Sequence, residues 1–225
     1  MERVICLLIG YVFGLFQTAY IYGRLHGIDI RNYGSGNAGT TNTLRVFGTK
    51  AGLLVLFGDI MKCILAVVIT GVIFGNTHGD EIYLLKMYTA AGAIAGHNFP
   101  FYLKFKGGKG IAATAGLILS FHPYLIPMGI VLFFGAFFTT HYVSLGSLLV
   151  YAGFFVELVI LGQMGIFGMT QPLLIEMYVI AGILTVMAFY KHRENIKRLL
   201  SGTERKTYLT HKNKEAEELA EHKES

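Results

Sequence analysis

The feature that most limits how this chain can fold is a succession of apolar runs with almost no charge, at residues 4–22, 51–74, 82–99, 111–121, 124–139, 143–161 and 173–189. The longer runs match a helix that crosses a hydrocarbon layer about 30 Å thick at about 1.5 Å per residue. Peptide groups in lipid need partners within the chain, so the runs are expected to be helices. Strands of a membrane barrel would alternate polar and apolar residues over about ten positions, and these runs do not alternate. Composition agrees: 53% of the chain is hydrophobic and only 15% is charged, against about 25% charged in soluble domains. The expected fold is all-α, a polytopic integral membrane helix bundle of about seven transmembrane helices.

The run at 4–22 reads as a retained span rather than a signal peptide, because it is long and Glu2 offsets Arg3. The runs at 111–121 and 124–139 are short and are separated by His122 and Pro123. They are read as two short spans, with a re-entrant pair as the alternative. Counting loops from an external N-terminus puts 16 of the 19 lysines and arginines on the internal side, as the cytoplasmic bias of basic residues requires. The N-terminus is therefore expected outside and the C-terminus in the cytoplasm, whichever way 111–139 is treated. One membrane domain is expected over 1–206, followed by a charged tail at 207–225. Within that tail, 212–225 alternates acidic and basic residues and reads as a solvated helix. Cys6 and Cys63 each fall inside an apolar run, which argues against a disulfide framework. No Cys/His cluster has zinc-ligand spacing.

Three polar segments fall on the expected cytoplasmic side. The first runs from Gly34 to Arg45 and holds Ser35, Asn37, Thr41 and Asn42. Its glycines allow a ligand to approach the backbone closely, its amides and hydroxyls are uncharged donors, and Arg45 is a fork suited to phosphate. The second contains His97, Lys104, Lys106, Gly107, Gly108, Lys109 and Gly110 and opens into the run at Ile111. Backbone N–H groups in such a turn, followed by a helix N-terminus, favour an anion. The spacing is not that of a P-loop. The third leaves the last span with His192 and Asn195, which share a helix face, and continues to Gly202 and Glu204. Within the spans, Asp59 and Lys62 are three residues apart. Charges at that depth usually pair and face the bundle interior. Ser144 begins the sixth run, and Glu157 within it has no partner visible in the sequence.

These pieces suit chemistry on a phosphorylated small molecule at the membrane surface, with His97 or His192 as a possible general base. In motif content, motif order and length, nearly the whole chain resembles the bacterial acyl-phosphate:glycerol-3-phosphate acyltransferases, the PlsY family. Thr40 stands where that family more often has alanine, and Lys191 replaces a common arginine. The resemblance implies acyl transfer from a fatty acyl phosphate to the 1-hydroxyl of glycerol 3-phosphate, giving lysophosphatidic acid and phosphate at the bacterial plasma membrane. It implies Ser35, Arg45, Lys104, His192 and Asn195 as catalytic residues, with Ser35, Arg45 and Lys104 on substrate phosphates. It further implies Asn37, Thr41, Asn42, His97, Gly107, Gly108, Lys109, Gly110 and Ser144 as substrate-binding residues. The glycines would shape the glycerol phosphate pocket. No metal, cofactor or nucleic acid is implied, and the partners are the two substrates and membrane lipid.

Other classes fit less well. Acyltransferases that use acyl-CoA or acyl-carrier protein carry a His-x4-Asp dyad, and no histidine here has an aspartate five residues later. A covalent acyl-Ser35 intermediate lacks an evident base. A transporter would place polar residues near the membrane midplane, often within inverted repeats. A scaffold without catalysis leaves three phosphate-suited segments on one face unexplained.

Overall fold

Ten α-helices carry residues 1–208, the part of the chain described by this computed structural model. They are α1 (Glu2–Gly14), α2 (Thr18–Leu25), α3 (Thr40–Phe47), α4 (Thr49–Phe74), α5 (Ile82–Asn98), α6 (Ile111–Phe121), α7 (Leu125–Thr140), α8 (Val143–Gln163), α9 (Gln171–Lys191) and α10 (Arg193–Leu200). The tail helix expected at 212–225 lies outside the described residues. Among the described residues, four segments are long and apolar enough to cross a membrane: Glu2–Leu25, Thr49–Phe74, Val143–Gln163 and Gln171–Lys191.

Two local features differ from the sequence expectation. The first run is a pair of helices, broken at Gln17, whose backbone is not helical. The carbonyls that lose helical partners at the break are served by the Gln17 side chain. Its buried Nε2 lies 3.0 Å from Gly14 O, 3.2 Å from Gly96 O and 3.1 Å from His97 O, tying the C-terminal ends of α1 and α5 together. The second difference is α3, which forms inside the first glycine-rich segment. Leu44 packs against Gly52 of α4, and Val46 is buried in the smaller core of Ala19, Ile30, Ala38 and Val55. Helical propensity in this glycine-rich stretch is low, and tertiary burial supplies what it lacks.

α5 is the central helix and meets α1, α4, α6 and α9. Its contact with α1 is close because both faces are small. A Cβ on Gly92 would lie 2.1 Å from Leu7 O, and one on Gly96 would lie 2.4 Å from Tyr11 O. Across the seam, a Cβ on Gly14 would lie 2.3 Å from Ala93 O. Small residues four apart on facing helices are how membrane helices gain van der Waals contact where lipid offers no hydrophobic drive. Outward-facing side chains are apolar too, with Phe57, Val72, Val131, Phe138, Ile183 and Val186 all more than half exposed. That is the surface of a bundle solvated by lipid.

The bundle has two distinct ends. At one, Arg3 reaches Glu81 at 3.2 Å and Glu176 on α9 at 2.7 Å, and the Tyr88 hydroxyl donates to Glu176 at 2.6 Å. The turn between α6 and α7 reaches this end, where the His122 ring packs on Tyr83 at 5.9 Å and Phe167 at 5.7 Å. At the other end the N-termini of α3, α6 and α8 converge with the C-termini of α5 and α9. Packing there runs beyond 206, because Thr207 is buried.

Candidate active site

At this second end the three polar segments surround a cavity of about 490 Å³. The first segment is shaped by Asn42. Its Oδ1 accepts from Ser35 N at 2.7 Å and Ser35 Oγ at 3.1 Å, and its Nδ2 donates to Ile30 O at 3.1 Å and Tyr33 O at 3.0 Å. Asn42 thus spends its hydrogen bonds holding the loop, and Ser35, Asn37 and Thr41 stay on the cavity wall. Arg45, one turn into α3, also lines the wall, and its Nη2 donates to Thr207 Oγ1 at 3.2 Å.

The second segment folds differently from its sequence expectation. Lys104 has a left-handed backbone (φ 55°), is exposed, and is not among the cavity's lining residues. Gly107 and Gly108 form a wedge behind the cavity. Gly108 N donates to His97 O at 3.1 Å, and a Cβ on Gly108 would lie 2.1 Å from His97 Nε2. Only Lys109 and Gly110 of this turn reach the wall. The turn reverses at Gly110 (φ 88°), which suits a residue without a Cβ. The lysine that this turn brings to the cavity is therefore Lys109, whose Nζ donates to Asn195 Oδ1. Burial, reinforced by the Arg198 charge, lowers its pKa to about 8.

The third segment closes the far wall. Glu204 collects Ser144 Oγ at 2.8 Å, Asn195 Nδ2 at 2.7 Å and Arg198 Nε at 2.8 Å. Burial pushes the Glu204 carboxyl up, but these hydrogen bonds outweigh it and hold the pKa below the usual carboxylate value. The His192 ring has Nδ1 2.8 Å from Ala188 O. A carbonyl can only accept, so Nδ1 carries the hydrogen and Nε2 keeps a lone pair. Burial, with the Lys109 charge behind it, lowers the His192 pKa to about 4, so the ring is neutral at physiological pH.

The other histidine has the opposite tautomer. Lys62 Nζ lies 2.8 Å from each of Phe16 O, Asp59 Oδ1 and His97 Nδ1, which occupy the three hydrogens of an ammonium. His97 Nδ1 therefore accepts, and the neutral ring carries its hydrogen on Nε2. The Asp59–Lys62 pair expected in the sequence exists at 2.8 Å, and Thr18 Oγ1 donates to the same carboxylate at 3.0 Å.

The cavity favours anions for two independent reasons. Arg45, Lys109, Lys191, Arg193, Arg198 and Arg205 line it against three carboxylates, Asp59, Glu194 and Glu204. The first-turn residues of α3, α6, α8 and α10 line it as well, so the positive dipole ends of four helices border it. Lys191 is marked in the sequence only as a replacement for an arginine, Arg198 and Glu204 only by their place in the third segment, and Thr207 by nothing. An apolar groove of about 450 Å³ adjoins the cavity between α4, α6 and α7. The two share Thr40, Thr41, Ile111, Ala112 and Val143 as wall residues.

A family model described as glycerol-3-phosphate acyltransferase matches residues 4–202. Among curated proteins, the glycerol-3-phosphate acyltransferase of Mycoplasmopsis synoviae (strain 53) is 38% identical over 219 residues, covering 91% of this chain and 94% of its own. That of Thermoanaerobacter sp. (strain X514) is 39% identical over 207 residues, covering 92% of this chain and 96% of its own. Among solved structures, the integral membrane glycerol 3-phosphate acyltransferase PlsY (YgiH) in its glycerol 3-phosphate form superposes with a TM-score of 0.79. That pair is 29% identical, and the match covers 92% of this chain and 96% of the other. Its lysophosphatidic acid form gives a TM-score of 0.76 at 28% identity, covering 93% and 97%. With the four apolar spans, these matches make the chain a multi-pass membrane protein. It belongs to the glycerol-3-phosphate acyltransferase family of PlsY type.

Proposed function

We propose that this protein transfers a fatty acyl group from acyl phosphate to the 1-hydroxyl of glycerol 3-phosphate, releasing lysophosphatidic acid and inorganic phosphate. The observation that carries the reading is the shared wall between an anion-selective cavity and an apolar groove. A donor with a long hydrocarbon chain and a phosphate leaving group spans the two, and a small phosphorylated acceptor fits beside it. The solved PlsY structures in glycerol 3-phosphate and lysophosphatidic acid forms support the acceptor and the product.

In this mechanism His192 Nε2 takes the proton of the 1-hydroxyl as the hydroxyl oxygen bonds to the acyl carbonyl carbon. The bond from that carbon to the phosphate oxygen then breaks, and the proton passes from His192 to the departing phosphate. Arg45 and Lys109, with the N-termini of α3 and α6, hold the two phosphates and offset the charge that develops on the carbonyl oxygen. Ser144 and Asn195 position the acceptor with Glu204. Ser35 acts as a hydrogen-bonding group rather than a nucleophile, because its neighbour is the Asn42 amide oxygen, which is not a base.

The membrane arrangement belongs to the same proposal: seven spans in the bacterial plasma membrane, N-terminus outside, and the cavity at the cytoplasmic face. Its support is that Arg3 pairs with Glu81 and Glu176 at the end opposite the cavity, whereas residues 203–208 lie at the cavity. Such an arrangement takes an odd number of crossings. The domain so defined runs past the boundary expected at 206, through Thr207 and Tyr208.

The test uses purified protein given glycerol 3-phosphate with either palmitoyl phosphate or palmitoyl-CoA. Equal yields of lysophosphatidic acid and phosphate from the acyl phosphate alone are expected. Product from the thioester would overturn the donor, and no product from folded protein in native-like lipid would overturn the activity.

A further inference from the structure

The family model ends at Gly202, yet the chain stays against the active site for six more described residues. Glu204 draws Ser144 and Asn195 together. Thr207, only 4% exposed, donates its N–H to His141 O at 2.9 Å and receives Arg45 Nη2 at 3.2 Å. The Tyr208 ring lies 4.7 Å from the His141 ring. His141 caps α7 with a left-handed backbone (φ 61°), so the strap is fastened to the point where α7 turns into α8. Arg45 is a wall residue of the polar cavity and Thr207 of the apolar groove. The hydrogen bond between them therefore crosses the junction of the two.

From this geometry we infer that residues 203–208 are a working part of the site, in which Thr207 is a positioning residue that aims Arg45 at the phosphate of the acyl donor. The inference rests on the acyltransferase reading above. A guanidinium is a rigid planar fork, so fixing one terminal nitrogen orients the remaining N–H groups. The partner's chemistry matters as well. A carboxylate in place of Thr207 would hold the fork but cancel much of its charge, whereas a hydroxyl holds it without adding a counter-charge. The phosphate selected is the donor's, because the contact sits where the groove for the hydrocarbon chain meets the cavity. The acceptor's phosphate also has Lys191, Arg193 and Arg198, which line the cavity but not the groove.

The experiment compares full-length wild type, Thr207→Val and Thr207→Ser in lipid nanodiscs, varying palmitoyl phosphate and glycerol 3-phosphate separately. Valine keeps the shape and removes the hydroxyl. A hydrogen bond to a charged group is worth enough to predict that Thr207→Val raises KM for palmitoyl phosphate about tenfold. The KM for glycerol 3-phosphate and kcat should stay within about twofold, and Thr207→Ser should restore the wild-type values. Unchanged kinetics in Thr207→Val, an equal rise in both KM values, or failure of serine to rescue would each overturn the role given to Thr207. A wild type that turns over no acyl phosphate would instead overturn the proposed activity, so the two failures are distinguishable.

Discussion

Lys62 and His97, on neighbouring helices, are joined at 2.8 Å between Nζ and Nδ1, and this contact decides which face of the imidazole carries the hydrogen. The lysine is held by Asp59 and by the Phe16 carbonyl at the same distance, so its ammonium has no spare hydrogen. His97 is then a donor at Nε2 and not a base.

The buried pair behind His97 predicts a stability signature. Lys62→Met leaves Asp59 buried and unpaired, which should cost about 3–5 kcal/mol. Removing both charges with Asp59→Asn and Lys62→Met should recover most of that loss. Melting temperatures in one detergent check this. A double variant no more stable than Lys62→Met would mean that the pair is not the origin of the cost.

His192, with its lone pair on Nε2, is the histidine whose loss should look chemical. His192→Ala is expected to lower kcat about 10²–10⁴-fold. Single-turnover rates with both substrates saturating provide the measurement. A loss below tenfold would hand the proton to a substrate phosphate oxygen.

Lys109 predicts the pH dependence. With a pKa lowered to about 8, it is protonated below that pH and loses its charge above it. The affinity of the free enzyme for anionic substrates should therefore fall as pH rises through 8. The His192 pKa of about 4 leaves that ring neutral across the same range. Accordingly kcat/KM should be flat from about pH 6 to 7.5 and then decline. Lys109→Arg should remove the decline, because a guanidinium stays charged. Lys104→Ala, at an exposed position away from the cavity wall, should leave KM within about threefold. A tenfold rise would restore Lys104 to the site.

The seam between α1 and α5 predicts which glycines are structural. Gly92→Ala drives a Cβ to within 2.1 Å of the Leu7 carbonyl, an overpacking that should cost about 1–3 kcal/mol. Gly135→Ala on α7, where a Cβ meets nothing within 4 Å, should be neutral or slightly stabilising. Matched thermal melts that fail to separate these variants would argue against the close approach.

By itself the sequence determined that the chain is helical, that it belongs in a membrane, and that its polar segments lie together at one end. Those properties follow from transfer of side chains between water and lipid, a cost that accumulates residue by residue and so can be read without knowing the fold. It also marked Ser35, Arg45, Lys109, His192, Asn195 and Ser144 as chemically interesting, and all six line the cavity. Only the tertiary structure decided between lysines in one turn, because the left-handed backbone at Lys104 and the reversal at Gly110 send Lys109 inward. It assigned the two histidines opposite tautomers, since each is fixed by an acceptor or donor on its neighbours. It also brought Thr207 to Arg45 across 162 positions of sequence. A hydrogen bond depends on direction and on a few tenths of an ångström, and the relative placement of separate helices supplies both.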